Sequence, residues 1–191
     1  MRINPDIDKI TYLGKSIKPQ KNVYYLLNKP LGYTSTCKDS HAEKLAISLV
    51  PKNPPVWPVG RLDKYTSGLL ILTNDGKLTQ KLTHPSFNIK KEYSLTTNLP
   101  LTDNEIHKIR QGVKLEDGFI KPDVFQKIGP KSWRIVLHEG RKRIVRRIIE
   151  NTGKKTMSLT RTRFAFLELG DLKPGRWRHL TKEEINQLAK I

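Results

Sequence analysis

A single carboxylate, Asp63, stands between a charged loop and a continuous apolar run. The run, 68–72, is short and aliphatic, which predicts a strand buried on both faces. The loop 60–67 is polar and bounded by glycines, and the turn-forming residues 73–76 end the strand. An acid in such a loop is held by a rigid scaffold at a surface cleft, where reactive groups are commonly placed. Catalysis by Asp63 is one interpretation, and a turn cap or a pair with Arg61 is the other.

A second segment with a distinctive pattern is 140–153, which we predict to be a helix. On a wheel of about 100° per residue, its aliphatic side chains form one arc and its basic side chains the opposite arc. The stretch 141–163 holds nine Lys or Arg against one Glu, whereas a solvated helix face normally mixes both signs. Because such self-repulsion destabilises the fold, the pattern favours a surface that binds a polyanion.

The elements that position these residues follow from hydrophobic periodicity and turn signals. The pattern predicts strands over 23–27, 68–72, 91–96 and 133–137, a short strand and turn at 12–15, a hairpin over 113–120, and a strand or hairpin over 159–169. It predicts helices over 38–50, 77–84, 102–110, 140–153 and from 181 onward. Capping boxes of Thr with Glu mark the helices that begin at 102 and 181. Hairpin-length connections between strands indicate an α+β fold with a mixed, mostly antiparallel central sheet, flanking helices and a cleft.

Composition restricts the possible partners. The 191 residues, 22.0 kDa, carry a formal net charge of +18 and a pI of about 10.1, so a polyanion such as RNA is the expected ligand. No apolar run approaches the roughly 20 residues needed to span a bilayer, and the N-terminal residues have no signal-peptide pattern. We therefore expect no membrane partner.

Cysteine and histidine usage also limits the chemistry. The one cysteine, Cys37, cannot form an internal disulfide and suits a reducing cytoplasm. We interpret it as a small, partly buried residue rather than a nucleophile. The five histidines show no metal-ligand spacing with Cys37, so we expect no bound metal. A phosphate-cradling glycine loop followed by Lys and Ser or Thr is also missing from the sequence.

Three motifs carry a resemblance to a known family. The string from Gly60 to Gly76, Gly-Arg-Leu-Asp-x-x-Thr-Ser-Gly-Leu-Leu-x-Leu-Thr-Asn-Asp-Gly, closely resembles the signature of RNA pseudouridine synthases of the RsuA-like ribosomal family. Lys91-Glu92-Tyr93 resembles the family's Lys-x-Tyr motif, and 139–148 resembles Glu-Gly-Arg-Asn-Arg-Gln-Val/Ile-Arg-Arg-Met. The stretch Leu-Asn-Lys-Pro-Leu-Gly at 27–32 is similar to a largely structural first motif, although its Pro and Gly fit an ordinary turn equally well.

The resemblance implies an activity and roles for particular residues. The activity is the isomerisation of uridine to pseudouridine in ribosomal RNA, which needs no cofactor because nothing is oxidised and no group is imported. Asp63 would be the catalytic carboxylate, Tyr93 would stack on the flipped uracil, and Arg146 would pair with Asp63. The residues expected to contact RNA are Arg61, Lys91, Arg141, Lys142, Arg143 and Arg147.

The resemblance also implies a domain organisation, and the sequence differs from the family's motifs at a few positions. It predicts the pseudouridine synthase fold with a connector or tail at 1–22 and a catalytic domain at 23–191. A small RNA-binding domain of the S4 type usually comes first in the family, so we expect a catalytic domain alone, either naturally short or a fragment. The sequence differs from the third motif at Lys142, Ile144 and Ile148. Ile144 replaces a glutamine, so a role specific to that glutamine has no counterpart here.

Two other functions fit parts of the pattern. One is a non-catalytic basic RNA-binding or ribosome-assembly protein, which would have no need of the combined set Asp63, Tyr93 and Arg146. The other is a basic DNA-binding module, which lacks a helix-turn-helix pattern around its basic helix and leaves the Asp63 loop unexplained. We expect a cytoplasmic monomer that acts on ribosomal RNA, either a stem-loop or an assembly intermediate, and not on DNA.

Overall fold

Thirteen strands and four α-helices make up the described part of this computed structural model, which covers residues 10–17, 20–36 and 44–191. The strands are β1 (Ile10–Tyr12), β2 (Lys15–Ile17), β3 (Tyr24–Lys29), β4 (Trp57–Pro58), β5 (Ser67–Thr73), β6 (Lys91–Thr97), β7 (Val113–Leu115), β8 (Gly118–Ile120), β9 (Val124–Gly129), β10 (Ser132–Leu137), β11 (Thr156–Phe164), β12 (Leu167–Glu168) and β13 (Trp177–His179). The helices are α1 (Gly76–Thr83), α2 (Asp103–Gln111), α3 (Ile144–Glu150) and α4 (Lys182–Lys190).

Nine of the strands form one central sheet in the order β13-β3-β5-β11-β6-β10-β9, with β4 added to β5 and β12 to β11. Every pair in this sheet is antiparallel except β5 with β11. The predicted mixed, mostly antiparallel sheet of an α+β fold is therefore confirmed. Two small hairpins, β1–β2 and β7–β8, lie outside this sheet.

The central strand β5 is buried on both faces, as its unbroken aliphatic sequence predicts. Leu69 and Ile71 pack into a cluster that includes side chains of α1 and α4. Leu70 and Leu72 point the other way, into a cluster with the segment before the Asp63 loop. Successive side chains of a strand alternate between faces, so this one strand anchors two cores and gives the loop before it a rigid base.

Gly68 is required where β5 crosses close to β11. It lies opposite Arg161 in the parallel pairing of β5 with β11, and its φ of +105° lies in the region that favours glycine. A Cβ atom at this position would overlap the carbonyl oxygen of Arg161 and lie 2.6 Å from its amide nitrogen. The glycine therefore allows β11 to approach the end of the Asp63 loop.

Local signals predicted the helix ends well. The capping box of Thr102 with Glu105 is formed at the start of α2, and Gly112 ends that helix. The same arrangement begins α4, where Thr181 accepts a hydrogen bond from the amide of Glu184. These ends depend on interactions within four residues, which explains why the sequence alone identified them.

Two predicted helices need correction, and two strands at the edges of the sheet were not predicted. The helix expected over 140–153 begins only at Ile144, because Arg143 adopts a left-handed conformation with φ of 52°. Of the helix expected over 38–50, the structure shows one 3-10 turn, Ala46–Leu49, and residues 37–43, including Cys37, lie outside the described part. The strands β9 and β13 were missed, because each pairs at one edge of the central sheet and carries few buried side chains.

Candidate active site

Hydrogen bonds hold the backbone of the Asp63 loop on both sides of the Asp63 carboxylate. Ser35 exchanges hydrogen bonds with the backbone of Leu62, at 3.2 Å to its amide and 3.1 Å to its carbonyl. The amide of Gly32 donates to the carbonyl of Lys64 at 2.8 Å, and the amide of Thr66 donates to the carbonyl of Asp63 at 3.0 Å. Backbone contacts thus hold the loop, and the half-buried carboxylate of Asp63 takes no part in them.

A cavity of about 900 Å³ opens beside Asp63 and brings Tyr93 to the same place. Tyr93 lies on β6 and is paired in register with Arg161 on β11, so both side chains reach the cavity from neighbouring strands. Leu159 and Phe164 of β11 supply apolar walls. A carboxylate, a phenol ring and an apolar wall in one cavity form a site suited to a flat, polar ring.

Arg146 holds the Asp63 loop without contacting the carboxylate directly. Its guanidinium donates to the carbonyl of Tyr65 at 2.6 Å and to the carbonyl of Thr156 at 3.1 Å. Burial lowers the pKa of Arg146 and so does the charge of Arg143, whereas attraction to Asp63 opposes the shift. In the described part of the chain no side chain forms an ion pair with Asp63. The expected pairing is therefore an electrostatic attraction across the loop and not a salt bridge in this structure.

Sequence reasoning missed a buried arginine in this cavity. Arg161 is 2% exposed, and its Nε donates to the carbonyl of Leu69 at 2.7 Å. Its guanidinium lies 5.1 Å from the centre of the Phe164 ring. Burial lowers the pKa of Arg161, and the neighbouring Tyr93 opposes this shift. The Nη2 atom is buried and has no hydrogen-bond partner.

A signal in the sequence could have identified Arg161. Counting every second residue from Leu159 places it on the buried face of its strand, where a charged side chain is rare. No carboxylate within ion-pair distance compensates its charge among the residues that the structure describes. Because a buried charge without a partner is unfavourable, we interpret Arg161 as a residue with a role in the site and not one that stabilises the fold.

Two lysines lie near the same cavity, Lys29 buried and Lys91 half-buried. Lys29 donates to the carbonyls of Pro30 and Tyr33 at 3.1 and 2.7 Å, and burial lowers its pKa to about 8 in spite of the attraction of Asp63. Lys91 donates to the carbonyls of Ile89 and His138, and burial likewise lowers its pKa to about 8. Lys91 lines the cavity, but its ammonium group is already occupied by the protein.

The basic residues expected to bind RNA divide into two groups. Arg61, Lys142 and Arg143 are exposed and line the cavity. Arg141 and Arg147 instead bind Asp117 at 3.2 and 2.8 Å. The hydrogen bond from Arg141 to Glu139 at 2.7 Å and the charge of Asp117 raise the pKa of Arg141, and Asp117 raises the pKa of Arg147. The second group therefore ties the β7–β8 hairpin to the start of α3, although Arg141 also lines the cavity. Arg143 lies 3.5 Å from Glu150, whereas Arg61 and Lys142 form no ion pair within the part of the chain that the structure describes.

The short helix α3 is unsuited to entering a DNA groove. Its residues Ile144, Val145, Ile148 and Ile149 are buried in the core cluster of α2 and β10, and its Arg147 is bound to the neighbouring hairpin. No cluster of metal-ligating side chains occurs among the described residues. In the same part of the chain, no helix has the length and apolar character needed to cross a membrane.

Comparison with known proteins gives consistent matches. The family model described as RNA pseudouridylate synthase matches residues 23–151, a region that contains Asp63, Tyr93 and Arg146. An uncharacterised RNA pseudouridine synthase of Aquifex aeolicus is 38% identical over 196 residues, covering 100% of this chain and 79% of its own. Ribosomal large subunit pseudouridine synthase B of Bacillus subtilis is 35% identical, covering 96% of this chain and 78% of its own.

A solved structure extends the similarity to the fold. The crystal structure of a pseudouridylate synthase superposes with a TM-score of 0.82 at 26% identity, covering 98% of this chain and 83% of that one. A subunit of the archaeal box H/ACA sRNP Nop10–Cbf5 complex superposes with a TM-score of 0.55 at 19% identity, which is a likeness of fold alone.

Proposed function

The chain belongs to the RNA pseudouridylate synthase family, and on that premise we propose that it converts specific uridines of ribosomal RNA to pseudouridine with Asp63 as the catalytic carboxylate. The enzyme class follows from the family. The ribosomal substrate rests on relatives such as ribosomal large subunit pseudouridine synthase B, which is 35% identical. The role of Asp63 rests on its position in the cavity that also contains Tyr93.

The reaction explains why a carboxylate is needed. The N1–C1′ bond of uridine breaks, the uracil turns, a C5–C1′ bond forms, and the proton of C5 is lost while N1 gains one. The sum is an isomerisation, so the proposed reaction needs no cofactor. An ionised carboxylate supplies the nucleophile or the charge stabilisation at the ribose or the base. Asp63 is placed for this because its carboxylate is not used to hold its own loop.

The neighbouring residues bind the base, exchange a proton with it and position the Asp63 loop. Tyr93 offers a π-face on which the flipped uracil stacks and a phenol that can exchange a proton. Arg146 positions the Asp63 loop through the carbonyl of Tyr65, and its positive charge balances the carboxylate in the cleft. Extracting the base from its stack costs a few kcal/mol, which stacking on Tyr93 and contacts with the RNA backbone must offset.

The RNA backbone is bound by the exposed basic residues of the cavity rim in this proposal. Arg61, Lys142 and Arg143 face solvent at that rim, and phosphates are the groups such side chains contact most often. Arg141 and Arg147 support this surface indirectly by holding the hairpin. We place the enzyme in the cytoplasm as a monomer acting on a stem-loop or an assembly intermediate, in keeping with its net charge of +18 and single cysteine.

The proposal is tested by mapping pseudouridine in ribosomal RNA at single-nucleotide resolution. Cells with and without the gene are compared, and the deletion is complemented with the wild type or with Asp63→Asn. We expect one or a few sites to disappear on deletion and to return only with the wild type. An identical map in all strains would argue against ribosomal RNA as the substrate.

Tyr93→Phe separates stacking from proton transfer. The ring remains, so we expect RNA affinity within a few-fold of wild type, whereas turnover should fall about 10²-fold or more because a positioned acid or base contributes that much. Tyr24→Phe is the matched control, since it removes a hydroxyl that binds Asp75 at 2.8 Å and does not line the cavity. Single-turnover kinetics and a binding titration measure both quantities. Unchanged turnover in Tyr93→Phe would show that the phenol is not a required acid or base.

Arg161→Met tests whether the buried guanidinium positions Tyr93. Removing an uncompensated buried charge stabilises the fold, and this gain offsets the free energy lost with the hydrogen bond to Leu69. We therefore expect a folded protein with a melting temperature close to that of wild type. We expect kcat to fall about tenfold, within the range for one interaction with a charged group, because Tyr93 loses the guanidinium that lies opposite it on β11. We expect KM to change little. Separate measurement of kcat and KM is decisive, because a purely structural residue would alter the melting temperature and leave kcat per folded molecule unchanged.

A further inference from the structure

We propose that a second cavity, on the other side of the Asp63 loop, binds the unpaired base of a nucleotide next to the target uridine. The inference rests on the proposed function, because it assigns a further part of the same RNA strand to this protein. The cavity measures about 490 Å³, a volume within the range of small-ligand sites. None of the motif roles described above requires it.

The second cavity is continuous with the first through shared residues. Asp63, Arg143 and Leu159 line both cavities. A uracil held over Tyr93 in the first cavity therefore lies one wall away from the second. Consecutive nucleotides of a single strand are the ligand whose parts are spaced closely enough to occupy both.

Three large apolar side chains are exposed around the second cavity. Leu31 is 60% exposed, Tyr65 63% and Met157 66%, and all three line it. They come from three separate segments of the chain, so their convergence is a property of the fold and not of one apolar stretch. Exposed apolar groups that gather in one place mark a binding surface. Stacking of bases on aromatic rings is the interaction that such a surface offers to single-stranded RNA.

The charges around the cavity favour a nucleic acid over a protein partner. Arg143 and Arg146 line the cavity, and the Nζ of Lys64 lies 6.0 Å from the centre of the Tyr65 ring. Asp63 is the only carboxylate among the lining residues that the structure describes. An apolar platform surrounded by cations matches a base joined to a phosphate, because the ring can stack while the phosphate approaches Arg143.

Hydroxyl groups form the remaining wall and can contact the edge of a base. Ser67 of β5 and Thr160 of β11 lie 2.8 Å apart in a hydrogen bond. Ser158 also lines the cavity from β11 and shares a hydrogen bond of 2.6 Å with Thr96. Hydroxyls can donate or accept, so this wall tolerates more than one base. The second cavity therefore adds affinity and positions the strand, and stacking dominates over sequence selection.

The test is a double-mutant cycle in which one change is made in the protein and the other in the RNA, and the affinity of each combination is measured. The probe is a stem-loop that contains the mapped uridine, prepared intact or with an abasic residue at the 5′ or the 3′ neighbour. The proteins are wild type, Tyr65→Ala and Tyr65→Phe, with Trp57→Ala as the control for loss of an exposed ring. Trp57 opposes Thr73 at the far end of β5, roughly 20 Å from Ser67 at about 3.3 Å per residue.

For wild type we expect an abasic residue at one neighbour, but not the other, to weaken binding about 5- to 150-fold, the range for one stacked base. Tyr65→Ala should bind the intact RNA more weakly by a similar factor and should no longer respond to the abasic residue. Tyr65→Phe should keep the response, because the ring remains. The carbonyl of Tyr65 that Arg146 binds is present in all three proteins, so the loop should stay folded.

Different outcomes separate this inference from the proposed function. If wild type forms pseudouridine but the losses of affinity caused by Tyr65→Ala and by the abasic residue simply multiply, the two groups do not interact. That result would overturn the second binding site and leave the proposed function standing. Equal affinity of wild type for intact and abasic RNA would do the same. A wild-type protein that forms no pseudouridine in the mapping experiment would overturn the proposed function and this inference with it.

Discussion

Asp63→Asn is expected to reduce pseudouridine formation by about 10⁴-fold or more, the scale seen when a catalytic carboxylate is removed from an enzyme site. The amide has nearly the same shape but carries no negative charge, so it can neither attack carbon nor stabilise a developing positive charge. The loop should be unaffected, because its contacts at Ser35, Gly32 and Thr66 involve backbone atoms of the loop. RNA affinity should accordingly stay within a few-fold of wild type.

The measurement combines single-turnover product formation with a binding titration on the same stem-loop. Asp171→Asn is a matched control, since Asp171 is exposed and lines neither cavity. We expect this control to retain wild-type turnover. Turnover of Asp63→Asn within tenfold of wild type would exclude Asp63 as the catalytic carboxylate.

Arg146→Met is expected to lower turnover by about 10²- to 10³-fold, the range for loss of one preorganised charged donor in an active site. The guanidinium donates to the carbonyls of Tyr65 and Thr156 at once, so its loss loosens the Asp63 loop and also removes the charge that faces the carboxylate. Arg146→Lys restores the charge but provides one ammonium in place of a planar fork. We therefore expect it to recover only part of the activity.

Arg110→Met is the appropriate control for Arg146→Met. Arg110 also donates to a backbone carbonyl, that of Phe125 at 2.9 Å, and it lines neither cavity. Both variants should lose comparable stability in thermal unfolding, whereas only Arg146→Met should lose turnover per folded molecule. Equal turnover losses in the two variants would show that Arg146 acts through general stability and not on Asp63.

Much of the fold could be predicted because its signals are local. The aliphatic run that became β5 is buried on both faces as expected, and the capping boxes of α2 and α4 are formed. The hairpin of β7 with β8 and the pairing of β11 with β12 also follow from alternation and turn residues. Each of these features depends on residues close together in the chain, which a sequence pattern can record.

The edges of the sheet could not be predicted in the same way. β9 has one buried side chain, Phe125, among six residues, so its alternation is too weak to distinguish it from a loop. It is a strand because β10 offers it hydrogen bonds. β13 similarly depends on pairing with β3, which lies far away in the chain. Both segments are therefore strands because of hydrogen bonds to a neighbouring strand and not because of their own sequence pattern.

In the candidate site, too, some features follow from local sequence and others from contacts between distant segments. By itself the sequence determined which residues we propose for the chemistry, because Asp63, Tyr93 and the basic segment 141–147 occur in motifs with fixed spacing. Only the tertiary structure decided which charges face a ligand. Arg141 and Arg147 are both ion-paired with Asp117, 24 and 30 residues away, and Arg161 is buried because β11 lies between β5 and β6. The reason is physical: a side chain's charge is local information, but its partners and its exposure to water are set by contacts between distant segments.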